Sequence, residues 1–160
     1  MIDQPQIKSL IADTINSMGK KYANPKAIDL VYNTGLVESK YKYIAQIKGP
    51  ARGFFQCEPF VAVSLCNDYL QFRQKLLKKV AALCYLNESY FTDPNEDAWE
   101  DILKTNLIAQ IIVCRLHYWR IPKPLPQTIE EQAVYWKNSY NTSLGKGTKE
   151  HFMEIVEKYG

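Results

Sequence analysis

The sequence of 160 residues lacks long apolar runs, paired-cysteine motifs and a strong charge of either sign. No apolar stretch approaches the roughly 20 residues of a membrane-spanning helix, so no membrane span is predicted. His117 and His151 lie far apart and no two cysteines have CxxC spacing, so neither a metal site nor a cofactor is predicted. A net charge of only +3 gives no electrostatic case for binding nucleic acid.

The first residues, Met1 to Pro5, have neither the basic region nor the apolar core of a secretory signal. We therefore expect the chain to be made in a cytoplasm and to fold there with its thiols reduced. The four cysteines lie among apolar residues, which is typical of buried small hydrophobic side chains. They are Cys57, Cys66, Cys84 and Cys114.

Hydrophobic periodicity predicts helices along almost the whole chain. We expect one all-α domain spanning residues 1–160, with about seven helices and at most one small β-hairpin near residues 43–56. The run from Trp99 to His117 is apolar nearly all round, which predicts a buried central helix. A polar break is expected over 87–97, a stiff proline connector over 121–126 and a loop over 141–147.

A lone glutamate, Glu38, stands at the end of the helix predicted to start at Pro25. At 100° per residue it falls on the edge of the apolar stripe, close to the direction of Val31. A carboxyl group at the rim of a core has a raised pKa, because burial disfavours its charged form. Such a group suits the general acid of glycoside cleavage, although a solvated glutamate at a helix end fits the same periodicity.

A segment rich in small residues follows Glu38. Gly49 and Gly53 allow backbone to approach backbone or ligand closely, and Gln56 offers an amide that suits a sugar N-acetyl group or a water. Phe54 and Phe55 fit either the core or a platform for sugar rings. The segment therefore predicts a turn facing the end of the Glu38 helix.

These residues resemble the signature of the goose-type lysozyme and soluble lytic transglycosylase superfamily. That signature is a Glu-Ser pair, an interval, and then Gly-Ala-x-Gly-Leu-Met-Gln-x-x-Pro. Here Gln56 stands eighteen residues after Glu38, and Pro59 completes the Gln-x-x-Pro segment. Pro50 replaces the first glycine of the turn and Phe54-Phe55 replace Leu-Met, so the shape of the turn departs from the family more than its chemistry does.

A second region of resemblance lies nearer the C-terminus. Tyr140-Asn141 resembles the family's Ala-Tyr-Asn region, in which a tyrosine points into the cleft near the acid, and Tyr135 is the reserve candidate. The string from Gly49 to Pro59, taken with Tyr-Asn-Thr and Leu-Gly-Lys-Gly at 140–147, resembles small lysozyme-like proteins encoded by tailed bacteriophages. Those proteins are thought to act on the cell wall, often as parts of the virion.

The resemblance implies a lysozyme-like helical domain with a substrate cleft and assigns a role to each matching residue. Glu38 would be the catalytic acid/base. The substrate-binding residues would be Ser39, Gly53, Gln56, Tyr140 and Asn141. Glu58 is a candidate second acidic group, with the alternative that it is a helix-start carboxylate favoured by the helix dipole.

The expected activity is that of a peptidoglycan lytic transglycosylase, which cleaves the β-1,4 bond between N-acetylmuramic acid and N-acetylglucosamine. A hydrolytic muramidase using the same acid, a non-catalytic virion or wall-binding protein, and a helical interaction module without a glycan site are the alternatives. The expected partners are peptidoglycan glycan strands and other virion proteins. The expected place of action is the bacterial cell wall, after synthesis in the host cytoplasm without a signal peptide.

Overall fold

A computed structural model describes residues 1–141 and 145–160. These residues are mainly helical, which confirms the predicted all-α class. The described part of the chain contains nine α-helices rather than the seven expected: α1 (Gln4–Met18), α2 (Pro25–Ser39), α3 (Pro59–Asp68), α4 (Gln74–Cys84), α5 (Ser89–Thr92), α6 (Glu96–Thr105), α7 (Leu107–Trp119), α8 (Ile129–Trp136) and α9 (Lys149–Tyr159). A 3-10 turn at Leu70–Phe72 follows α3, and a π-helical turn at Lys137–Asn141 follows α8.

Capping side chains set where most of these helices begin. The side chain of Asn24 accepts a hydrogen bond from the Lys26 backbone N–H at 2.8 Å, and Pro25 then occupies the first helical position of α2. Thr148 caps α9 in the same way through the N–H of His151. Both starts were predicted from the sequence, because a polar cap followed by a periodic apolar stripe is a strong local signal.

The predicted single helix from Trp99 to His117 is wrong, because Asn106 divides it into α6 and α7. Asn106 has extended backbone angles (φ −109°, ψ 99°). Its side-chain oxygen accepts from the Ala109 N–H at 3.0 Å, and its amide nitrogen donates to the Cys84 carbonyl at 2.9 Å. Asparagine competes for backbone hydrogen bonds in this way, which ends one helix and starts the next. The polar break expected over 87–97 likewise contains the short helix α5.

Helix α7 lies at the centre of the main core, as the sequence predicts. Its residues from Ala109 to Leu116 are all buried, and it packs against α1, α2, α3, α4 and α6. Burial on every side explains why its apolar pattern is nearly continuous instead of forming one stripe. All four cysteines lie buried and free in this core, consistent with the sequence analysis.

The segment between α2 and α3 contains no β-strand in the described structure, so the small hairpin expected near 43–56 does not form as such. Two isolated bridges pair Ala45 with Arg52 and Arg52 with Cys57, both antiparallel. The segment closes on itself through backbone hydrogen bonds such as that from the Gly53 N–H to the Ile44 carbonyl at 2.8 Å. It is therefore an ordered loop lying against the helices.

Helices α8 and α9 pack on each other and on α2, forming a second, smaller cluster beside the main core. Its buried members are Ala133, Trp136, Phe152 and Val156. The expected loop over 141–147 begins at the end of the π-helical turn, and residues 142–144 of it lie outside the described residues. None of the helices in the described ranges is both long and apolar enough to cross a membrane.

Candidate catalytic site

Glu38 lies in the last turn of α2, where its carboxyl group faces α8. One carboxyl oxygen, Oε1, accepts a hydrogen bond from the indole N–H of Trp136 at 2.8 Å. Burial raises the pKa of Glu38 to about 7, because loss of solvent penalises the carboxylate, while the Trp136 hydrogen bond opposes that rise. The carboxyl group therefore lies at the rim of the core, as its helical position predicts.

Trp136 is held in place by the packing of α8 on α9. It is the last residue of α8, its side chain is buried, and its ring centroid lies 5.5 Å from that of Phe152. A Cβ atom at Gly147 would stand 2.4 Å from the Trp136 ring, so glycine there allows the following loop to approach the indole. The donor to Glu38 is thus fixed by elements almost a hundred residues further along the chain.

Three titratable groups that interact with the Glu38 charge, Cys57, Cys114 and Tyr140, have pKa values raised well above 7. Burial raises the pKa of the Cys57 thiol to about 12, with the charges of Glu58 and Glu38 adding to the rise. Burial also raises the pKa values of Cys114 and Tyr140, and the Glu38 charge contributes to both. Apart from the Trp136 N–H, the described structure gives the Glu38 carboxylate no hydrogen-bond donor and no cation as a partner.

Ser39, predicted to contact substrate, is buried and committed to the backbone. Its hydroxyl oxygen accepts from the Tyr41 N–H at 3.0 Å, and its hydroxyl donates to the Gly35 carbonyl at 3.3 Å. Lys40 and Tyr41 both have left-handed backbone angles, each with φ 53°. Ser39 therefore stabilises the turn that ends α2 and so holds the backbone next to Glu38.

Gly53 and Gln56 form a tight turn that lies against α6 and α7. Gly53 has φ +77°, and a Cβ atom there would stand 2.4 Å from the Leu103 carbonyl oxygen. The Gln56 side-chain amide donates to the Gly53 carbonyl at 2.9 Å, so this amide folds back on its own turn. The Phe54 N–H donates to the side chain of Gln110 at 2.9 Å, which joins the turn to α7.

Tyr140 and Asn141 lie in the π-helical turn that follows α8. The Tyr140 hydroxyl donates to the Phe55 carbonyl at 2.6 Å, so this turn is joined to the Gly53–Gln56 segment. The Tyr140 ring also packs on His117, with 4.8 Å between ring centroids. The Asn141 side-chain oxygen accepts from the Lys137 ammonium at 2.8 Å, which ties it to its own turn. Tyr135, the reserve candidate, is buried and stacks on Tyr118.

Glu58 directly precedes α3 and makes no capping hydrogen bond with its side chain. It is half-buried, and its charge acts on the Cys57 thiol together with that of Glu38. The two carboxylates therefore both influence the same buried sulfur. The ion pair of this loop lies elsewhere, between Arg52 and Glu100 at 2.8 Å.

The structure thus brings three predicted parts of the site together: the end of α2, the loop carrying Phe55, and the turn carrying Tyr140. Sequence reasoning missed Trp136 as the partner of Glu38 and the Cys57 and Cys114 thiols as its neighbours. In the sequence, Trp136 stands in an apolar stripe with Ile129, Ala133 and Tyr140, which predicts its burial but no partner. A usable signal was present, because a buried indole N–H needs an acceptor and a buried carboxyl group needs a donor.

Four concavities stand out among the described residues, and none has Glu38, Gln56 or Tyr140 in its wall. The cleft that the sequence predicts beside Glu38 is therefore not one of them. Within the described ranges no group of three or more His, Cys, Asp or Glu side chains is arranged to hold a metal ion.

Comparison with known proteins leaves the family open. No protein-family model matches this chain, and no curated protein or solved structure matches it either. What the chain does must therefore be argued from its own residues.

Proposed function

We propose that this protein cleaves the β-1,4 bond between N-acetylmuramic acid and N-acetylglucosamine in peptidoglycan, with Glu38 as its single general acid/base. The observation that carries the proposal is the half-buried carboxyl group of Glu38 at the end of α2, which has a pKa of about 7. A general acid works best when its pKa lies near the working pH, since it must be protonated before the step and able to give up its proton during it.

The hydrogen bonds at Glu38 suggest which carboxyl oxygen transfers the proton. Oε1 accepts from Trp136, so Oε2 is the oxygen free to carry the proton to the glycosidic oxygen. As the bond breaks, positive charge develops on the sugar ring and negative charge on the carboxylate. The Trp136 N–H stabilises that carboxylate through a charge-assisted hydrogen bond.

The acceptor in the second step distinguishes two related activities. If the muramic acid O6 hydroxyl attacks, deprotonated Glu38 takes its proton and the product is an anhydro sugar, which is the lytic transglycosylase reaction. If water attacks, the protein is a hydrolytic muramidase. Glu58 is the candidate for a second carboxylate, but its place before α3 suits a helix start as well, so we favour the single-acid route.

The roles of the remaining residues follow from the resemblance and from their contacts. Tyr140 would contact the sugar after exchanging its hydrogen bond to Phe55 for one to substrate. Gln56 lies on the loop between α2 and α3 and Asn141 on the turn after α8, and their polar side chains would contact substrate. Gly53 shapes the turn that carries Gln56, while Ser39 holds the backbone next to Glu38. We further propose that the protein is encoded by a bacteriophage and acts at the bacterial wall, on its own or as part of a virion.

A non-catalytic role is the second candidate, and a specific observation favours it. Trp136 occupies one oxygen of Glu38, and the four concavities described above lie elsewhere. In that case the Glu38–Trp136 pair would serve to join α2 to α8, and the fold would act in virion structure or wall binding.

Mass analysis of the sugars released from purified peptidoglycan tests the proposal. Wild type, Glu38→Gln and Glu58→Gln should be compared, with circular dichroism to show that all three are folded. We expect anhydromuramic ends from wild type and from Glu58→Gln, and a loss of about a hundredfold or more for Glu38→Gln. Activity of wild type should fall as pH rises above about 7, because the acid is then ionised.

Three other outcomes of this experiment would change or refute the proposal. Reducing muramic ends would establish hydrolysis instead of transglycosylation. Full activity of a folded Glu38→Gln protein would refute Glu38 as the acid. Release of no sugar by any of the three proteins would support the non-catalytic role.

A further inference from the structure

One of the four concavities, with a volume of about 400 Å³, lies between the end of α7 and the proline connector. Its size falls within the usual range for small-molecule sites. Aromatic rings and the connector form most of its wall, and two cations, Arg115 and Lys123, complete it. The apolar part of the wall consists of Tyr118, Trp119, Ile121, Pro122, Pro124, Leu125 and Tyr135.

Arg115 is an unusual residue for such a wall, because it is 1% exposed and has no carboxylate partner in the described part of the chain. The Arg52–Glu100 pair is the one salt bridge among the described residues. The Arg115 Nε donates to the Tyr22 carbonyl at 3.0 Å, whereas its Nη1 is buried without an acceptor within the described ranges. A buried cation with an unused donor is costly to the fold unless an anion or an acceptor meets it.

The charges around the concavity favour an anion. Lys123 is exposed at its edge, and the Lys21 ammonium lies 5.4 Å from the centre of the Trp119 ring, which forms part of the wall. Glu130 and Glu131 line the adjoining concavity, which shares Lys123, Pro124, Leu125 and Tyr135 with this one. No acidic side chain is among the described residues that line the concavity of Arg115.

We propose that this concavity binds a small carboxylic acid with an apolar body, whose carboxylate pairs with Arg115. Guanidinium groups match carboxylates in geometry and charge, and here the Trp119 and Tyr135 rings supply the surface for the apolar part. A carboxylate is favoured over a more highly charged group because the wall offers one buried cation and one exposed one. The inference does not depend on the proposed cleavage of peptidoglycan.

The carboxylate could belong to a free organic acid or to the C-terminus of a peptide, and matched probes separate these sources. Calorimetric titrations should use phenylpropionate, its uncharged amide phenylpropionamide, and N-acetyl-alanyl-alanine. We expect the acid to bind at least about tenfold more tightly than its amide, because the amide cannot pair with Arg115. Stronger binding of the peptide than of phenylpropionate would assign the site to peptide C-termini, and the reverse to free acids.

Variants place the binding at this concavity. Arg115→Met should weaken phenylpropionate binding at least about tenfold, while Lys104→Met removes an exposed cation that lines none of the four concavities and should leave binding unchanged. Lys123→Ala should weaken phenylpropionate binding by a smaller factor than Arg115→Met does. Its effect should be larger at low salt than at high salt, because salt screens an exposed charge. In wild type, phenylpropionate should alter the fluorescence of Trp119, and Trp119→Phe should remove that change.

Several results would overturn the proposal. Equal affinity of wild type for phenylpropionate and its amide would do so, as would binding of neither probe. Unchanged binding by a folded Arg115→Met protein would also overturn it. If Arg115→Met fails to fold, the comparison of acid with amide in wild type and the Trp119 signal still decide the question.

Discussion

The proposed activity depends most on Glu38. Burial opposes the ionisation of its carboxyl group, and a hydrogen bond from the Trp136 N–H favours it. Burial raises its pKa to about 7, and the Trp136 N–H limits the rise. Since the native pKa exceeds the value of about 4.5 for a free side chain, the native state binds more protons than the unfolded state between these two values. The stability that protonated Glu38 contributes is therefore complete below about pH 4.5 and is lost as pH rises through about 7.

Replacing Glu38 by glutamine should accordingly change how stability depends on pH. Glutamine keeps an oxygen that accepts from Trp136 but carries no charge. We expect Glu38→Gln to be more stable than wild type by about 1–3 kcal/mol at pH 8–9 and nearly equal to it at pH 5. Urea unfolding of both proteins across this range measures the difference, and a constant difference at all pH values would mean that Glu38 ionises with an ordinary pKa.

Removal of the Trp136 donor should have the opposite effect. Trp136→Phe leaves the carboxylate without its hydrogen bond, so we expect the pKa of Glu38 to rise above 7 and stability to fall by about 1–3 kcal/mol more at pH 8 than at pH 5. Trp99→Phe is the matched control, because the indole of Trp99 donates to the uncharged Tyr90 carbonyl at 2.9 Å. Its loss of stability should be the same at both pH values, and a similar pH dependence in both variants would argue against the Glu38–Trp136 pair as the cause.

At the scale of elements, Asn106 decides where two helices meet. Its side chain caps α7 through Ala109 and also joins the end of α4 through the Cys84 carbonyl. The ends of three helices therefore depend on one amide group. If that group is removed, the Ala109 N–H and the Cys84 carbonyl both lose a hydrogen-bond partner.

Asn106→Ala should for that reason cost more than the loss of an ordinary cap. We expect a loss of about 2 kcal/mol in the free energy of unfolding, compared with about 1 kcal/mol for Asn95→Ala, whose side chain caps α6 alone. Urea or thermal unfolding of the two variants provides the measurement. Equal losses would show that the hydrogen bond to Cys84 contributes little.

At the scale of the whole molecule, the candidate site exists because three distant segments meet. The loop between α2 and α3 lies against α6 and α7 through Gly53, and it receives the Tyr140 hydroxyl at the Phe55 carbonyl. The turn carrying Tyr140 follows α8, which supplies Trp136 to Glu38. Displacing the loop should therefore disturb contacts on the opposite side of the site.

Gly53→Ala tests that dependence. A methyl group would meet the Leu103 carbonyl oxygen, and φ +77° is unfavourable for alanine. We therefore expect Gly53→Ala to lose about 2–4 kcal/mol in the free energy of unfolding, as measured by urea unfolding. Gly19→Ala is the control for the backbone angles alone, since Gly19 has φ +122° and ψ 159°, a region that essentially only glycine adopts, and its Cβ would meet only the Lys79 ammonium nitrogen at 4.0 Å. The loss for Gly53→Ala should exceed that for Gly19→Ala if the contact with Leu103 adds to the cost, and equal losses would mean that backbone angles alone account for the effect.

The sequence predicted the elements of this fold better than it predicted their breaks and contacts. The helical class, the caps at Asn24 and Thr148 and the burial of α7 follow from local periodicity and composition, which act within a few residues. The break at Asn106 was missed because an apolar run on both sides hides the end of a helix when the helix is buried all round. The expected hairpin was reduced to isolated bridges because glycine and proline mark turns without fixing strand pairing.

The position of Glu38 at the edge of its stripe was predictable, because it depends on helix geometry alone. The Trp136 donor was not, because it depends on how α8 and α9 pack against α2, far away along the chain. The cleft, the substrate and the activity inferred from the resemblance stay predictions.

Because Glu38 and Trp136 lie far apart along the chain, the folding of this protein is also coupled to the uptake of a proton. Until α8 and α9 dock, the end of α2 is exposed to water and Glu38 has the acidity of a free side chain. At about pH 6 the carboxyl group is then ionised, and it takes up a proton when α8 and α9 cover it. Refolding in a weakly buffered solution with an indicator dye should thus consume protons in the phase in which α8 and α9 assemble on α2. Proton uptake by one side chain would then report the time at which the C-terminal helices dock.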